Sequence, residues 1–193
     1  MSLNHTSKFA ELTNEQFQLI GKIVVEWANI EFLQKQILSR LLFSPEFISR
    51  TYTDRMSAVK VQESIKESIA LHRNRYRANI VNEEILHEIE RVNEEVHNAR
   101  AHRNKFAHFC WFRSTDEEIC GTNFSAGLPE SKKGKKSFIT INNTELNRLY
   151  KESYNLVDKI NKLIDKLPEI EEETLTRITL TEQLGKADPK SRV

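Results

Sequence analysis

The chain has 193 residues, with five glycines, four prolines and 30% charged residues. So few turn-formers exclude a collagen-like chain and argue against a sandwich or barrel, leaving long helices around one core as the expectation. Lys+Arg 29 against Asp+Glu 28 leaves a net charge of +1, which excludes a histone-like polycation and confines nucleic-acid binding to local patches.

Residues 1–12 read as an N-terminal tail without the apolar stretch of a signal peptide. No run approaches the ~18 apolar residues of a membrane span. Cys110 and Cys120 lack CxxC spacing, so a cytosolic chain with two free thiols is expected. The first helix opens on a capping box, Thr13-x-x-Gln16, in which side chains and backbone satisfy each other's orphan groups. Its apolar stripe runs from Phe17 through Ile23, Trp27, Ile30 and Ile37 to about Phe43, and Ser44-Pro45 ends it, opening a short new turn. A second helix is expected from Asp54 through Val61 and Ile65 to about Arg73.

A third helix starts at Asn82, with Ile85, Ile89, Val92, Val96 and Ala99 on its stripe. Continuing those steps reaches Arg103, Phe106 and Cys110, so an arginine stands where the pattern asks for an apolar residue. Such an Arg needs a partner or a chemical role. Beyond His108, the segments Phe109–Phe112 and Ser137–Ile141 suit strands, with a Gly- and Lys-bearing loop from Gly121 to Lys136 between them. Asn142-x-x-Glu145 opens a fourth helix, whose stripe from Leu146 to Leu167 is stopped by Pro168. The expected architecture is an all-α bundle of four main helices over residues 13–167. A β-hairpin insertion (109–141) precedes the last long helix, and a polar C-terminal tail occupies 168–193.

Charge segregates along the third helix: Glu83, Glu84, Glu88, Glu90, Glu94 and Glu95 come first, then Arg100, Arg103, Lys105 and, past the helix, Arg113. Complementing the helix dipole explains this bias without any function. The functional reading is a phosphate-binding patch, extended by Lys132 and Lys133 or by Arg73, Arg75 and Arg77. Glu84-x-x-His87 and Glu94-x-x-His97 have di-iron spacing, but they lie on one helix roughly 15 Å apart at 1.5 Å per residue, too far to share a metal pair. Glu26 and Glu31 are the carboxylates elsewhere at a matching depth. No serine-hydrolase elbow, P-loop or GxGxxG occurs. What remains is Arg103-Asn104-Lys105-Phe106-Ala107-His108. On a regular helix Arg103 and His108 stand about 140° apart, while Asn104 and His108 share a face. A helix that loosens near Ala107 would swing His108 into the pocket of Arg103, pairing a permanent cation with a group that titrates near neutrality.

Arg103-Asn104-x-x-x-His108 resembles the R-x4-6-H motif of the HEPN superfamily, and its place near the end of a long helix matches. The first helix, with Gly21, Trp27 and Glu31, is similar to the opening helix of bacterial HEPN-like families. The resemblance implies a metal-independent endoribonuclease without cofactor, a homodimer whose motif helices face each other, and a toxin or defence effector with a separate antitoxin. It assigns Arg103 to the scissile phosphate, His108 to proton transfer and Asn104 to orientation. Arg100, Lys105, Arg113, Lys132 and Lys133 are then candidate RNA contacts. A second class, the noncatalytic dimeric HEPN-like module that binds a nucleotide or partner protein, is compatible with the same residues. The segment from Phe109 to Ile141 departs from the minimal bundle.

Overall fold

The computed structural model describes residues 10–122, 138–173 and 177. It is mostly helical with a small sheet. In chain order the described elements are α1 (Asn14–Leu41), α2 (Glu46–Thr53), α3 (Ala58–Asn74), α4 (Glu83–His108), β1 (Cys110–Thr115), β2 (Glu118–Thr122), β3 (Phe138–Asn142) and α5 (Asn143–Ile164). None of the described helices is long and apolar enough to cross a membrane. Two compact units share the chain: Met1–Leu33 with Arg91–Asn161, and Gln34–Glu90 with Lys162–Val193.

In the first unit, the capping box forms as expected. The Thr13 amide donates to Gln16 Oε1 at 2.9 Å and the Gln16 amide to Thr13 Oγ1 at 3.2 Å. Gln16 does more than cap. Fully buried, it also donates through Nε2 to the carbonyls of Thr115 and Asp116, tying the start of α1 to the β1–β2 turn. The core beneath is built from Ile23, Trp27 and Ile30 of α1, Val96 and Phe106 of α4, Ile119 of the sheet, and Leu146, Leu149 and Ile160 of α5.

The sheet corrects the expected hairpin. It has three antiparallel strands in the order β1-β2-β3, and the strand at Glu118–Thr122 lies partly in what reads as loop. Gly121 pairs with Trp111 across β1–β2, and the indole lies over it. A Cβ at Gly121 would stand 2.7 Å from Trp111 Cζ3, so the glycine makes room for the ring. The indole also stacks on Phe106, centroids 5.2 Å apart. Gly121→Ala is therefore expected to lower the thermal midpoint, because a large ring already packed on another ring yields only at a cost. Thermal denaturation followed by circular dichroism checks this; an unchanged midpoint would mean that the ring relaxes freely. The remainder of the predicted loop, residues 123–137 including Lys132 and Lys133, lies outside the described residues.

In the second unit, α1 ends at Leu41 in a Schellman arrangement, with Ser44 N bonding Ser39 O and Phe43 N bonding Arg40 O. The left-handed position falls on Phe43 (φ 51°), where glycine is usual, and the Phe43 ring packs edge-on against His72. The short turn expected after Pro45 is the two-turn α2. The helix expected from Asp54 instead begins at Ala58, because Asp54 closes α2 and Ser57 Oγ accepts from the Lys60 amide to start α3. Five helices thus replace four among the described residues. Asn82 caps α4 through the Ile85 amide, as its position suggests.

Arg73, expected to join a phosphate patch, is instead spent on the protein itself. Its Nε donates to Glu83 at 2.8 Å and its Nη2 to Glu90 at 3.0 Å. This guanidinium holds the Glu90 carboxyl below its usual value of 4.5. A depressed carboxyl stabilises the fold above its unfolded value, and that contribution disappears as pH falls through the lowered one. Urea midpoints between pH 3 and 6 should therefore fall less steeply for Arg73→Met than for the parent chain. The difference should shrink in high salt, since both groups are partly exposed.

Candidate functional site

Arg103 sits on the last two turns of α4, where the stripe begun by Leu86, Ile89, Val92 and Val96 continues to Phe106. It does not enter the core; its side chain is 32% exposed. Its partner is Glu31 of α1, with Nη2 to Oε1 at 2.8 Å, and its Nη1 donates to Asn104 Oδ1 at 3.2 Å. A guanidinium has five N–H donors, so these two bonds leave further donors for an anion. The head group borders a recess of about 130 Å³ whose lining also includes Val24, Trp27, Ala28, Glu31 and Ala107.

His108 is not brought to that recess. The expected loosening at Ala107 does not occur: α4 stays helical to His108, and the Phe109 amide still bonds Lys105 O at 2.9 Å. A regular helix keeps the two side chains on different faces. His108 and Asn104 are exposed. Of the expected RNA contacts, Arg100 and Lys105 are half-buried, and Arg113 is exposed with Nη1 3.2 Å from Asp116. Cys110 is exposed and Cys120 half-buried, both free thiols.

A larger groove, about 510 Å³, opens in the same unit between α1, α4 and α5. Its apolar lining includes Ile23, Trp27, Phe106, Leu149 and Leu156. Its polar lining contains residues that sequence reasoning missed: His102, Arg148, Glu152 and Lys159. Trp27 and Phe106 line both this groove and the Arg103 recess. The charges here are matched. Arg148 bonds Glu145 (Nε to Oε2, 2.8 Å) and Glu152, while Lys159 reaches Glu95 at 2.6 Å. Arg148 holds the Glu145 carboxyl below its usual value, with a smaller contribution from His102, and the two carboxylates raise Arg148 in turn.

The two Glu-x-x-His pairs bring no third ligand. His87 is exposed beside Glu83 and Glu90, and among the described residues no three His, Cys, Asp or Glu side chains are placed to hold a metal. His72, which the sequence leaves without a role, is fully buried, with Nε2 2.9 Å from Leu41 O. Comparison with protein-family models, curated proteins and solved structures finds no match for this chain.

Proposed function

We propose that this chain is a metal-independent endoribonuclease of the HEPN type, acting through Arg103, Asn104 and His108. The supporting observation is the placing of Arg103: a permanent cation oriented by Glu31 and Asn104, partly exposed at a recess, five residues along α4 from an exposed His108. In this reading a base removes the proton from a ribose 2′-OH, and the 2′-oxygen attacks the adjacent phosphorus. The bond to the 5′-oxygen breaks as an acid returns a proton to it, leaving a 2′,3′-cyclic phosphate and a 5′-hydroxyl. Arg103 stabilises the charge on the non-bridging oxygens. The nucleophile belongs to the substrate, so no step requires a metal. Arg103 and His108 of one chain diverge, so each site combines Arg103 of one copy with His108 of another. Arg100, Lys105, Arg113, Lys132 and Lys133 serve the flanking phosphates.

The Arg103–Glu31 pair also favours a second reading, in which the guanidinium is structural and the chain is a noncatalytic dimeric module that binds a nucleotide or partner protein. RNA with a single 2′-deoxy substitution at the cleavage position separates the two, since only the 2′-OH can attack. Cleavage of the parent RNA in EDTA, with the substituted RNA left intact, is expected. Equal cleavage of both overturns the mechanism, and cleavage of neither supports the noncatalytic module.

A further inference from the structure

The groove of about 510 Å³ in the first unit has no part in the proposed reaction. Lys159 reaches Glu95 at one end, and at the other the His102 imidazole lies close enough to Glu145 to act on its charge. Helices α4 and α5 therefore run antiparallel along it. From Glu95 to Phe106 it extends roughly 16 Å at 1.5 Å per residue. Small side chains keep it open. On α4 the buried positions Val92, Val96 and Phe106 are interrupted by Ala99. On α5 Leu149 and Leu156 are interrupted by Ser153, whose Oγ turns back to donate to the Leu149 carbonyl at 2.9 Å. A leucine at either place would reach into the space, and cores are ordinarily filled.

The charges around the groove decide what it can hold. Each lining carboxylate is already bonded to a lining cation, Glu152 to Arg148 and Glu95 to Lys159. Arg148 is held by Glu145 besides. An ionic guest would have to break one of these pairs or stand unpaired beside the apolar floor; an uncharged guest does neither. The hydrogen-bonding groups left over are amides. Asn98 lines the α4 wall and Asn155 the α5 wall, each about one turn from the Glu95–Lys159 bond, so they stand at one level on opposite sides. Neither side chain has a hydrogen-bond partner among the described residues. An amide carries both an acceptor and donors, which matches a guest that has both on one edge.

We propose that this groove binds an uncharged aromatic molecule with a carboxamide-type edge. Its ring lies on the floor formed by Trp27, Phe106 and Leu156, and its edge meets Asn98 and Asn155. The volume lies within the roughly 300–1,000 Å³ of small-molecule sites, and an apolar floor with a few orienting polar groups is their usual construction. Neither Arg103 nor His108 lines the groove, so the inference stands whether or not the chain cleaves RNA.

Benzamide is a small probe of this class. Titrated into the full chain, it should raise the thermal midpoint saturably. Benzoate and benzamidine keep its shape and add a full charge of either sign, so each should need a several-fold higher concentration for the same shift. Asn98 and Asn155 are exposed, so Asn98→Ala and Asn155→Ala should leave the far-ultraviolet circular dichroism unchanged while each weakens benzamide binding several-fold. Ala99→Leu fills the groove; it should raise the midpoint of the free chain and abolish the benzamide shift. The proposal is overturned if benzamide gives no saturable shift, or if benzoate or benzamidine matches it. A shift of full size in the chain carrying both Asn98→Ala and Asn155→Ala overturns it as well.

Discussion

His108→Ala is expected to reduce RNA cleavage by about 10²–10⁴-fold, the usual worth of a positioned proton-transfer group. Helix content should not change, because His108 is exposed at the last position of α4. Arg103→Ala should be as inactive, and Arg103→Lys should not restore it, since an ammonium cannot present two donors in one plane. A mixing experiment has the sharpest outcome. If each site takes its arginine and histidine from different copies, His108→Ala and Arg103→Ala chains should together regain activity that neither has alone. One site of the mixed dimer is then intact. Full activity in His108→Ala alone would remove histidine from the mechanism, and no recovery on mixing would place both groups in one chain.

The largest expected loss of stability is at Trp27. The side chain is 4% exposed and lines both the Arg103 recess and the larger groove. Trp27→Ala should cost about 3–5 kcal/mol. For a chain of this size that is roughly 6–20 °C in the thermal midpoint, readable by circular dichroism. Trp27→Phe keeps most of the ring volume and should lose far less. The alanine variant also leaves a void beside both recesses that Trp27 lines, so an aromatic probe such as benzene should raise its midpoint and leave that of the parent unchanged.

The elements most legible in the sequence are those whose signals are local. Thr13–Gln16, Asn82 and Asn142 each announce a helix start within three residues, and each makes the backbone bond that its position implies. The break between α2 and α3 was illegible because Asp54 and Ser57 are both good caps three residues apart, and which one starts a helix depends on packing. Strand β2 was hidden by Gly121, which reads as a turn residue until Trp111 is known to lie on it. At the site, periodicity placed Arg103 at the edge of a buried stripe. Its partner Glu31 lies 72 positions earlier, beyond the reach of any local pattern. The end of α4 was less legible, because the strand-like residues after His108 suggest an earlier end than the helix makes.

The bond from Gln16 to the carbonyls of Thr115 and Asp116 has a consequence during synthesis. The N-terminal turn of the first helix is secured by groups made about a hundred residues later. At ~5–20 residues per second, translation leaves that buried amide without its partners for roughly 5–20 s. The unit to which it belongs cannot close before residue 161 has left the ribosome, whereas most of the second unit, residues 34–90, is already out. The nascent chain therefore carries its earliest helix with its apolar face bare for much of its time on the ribosome, the interval in which a chaperone that grips apolar helices has most to hold.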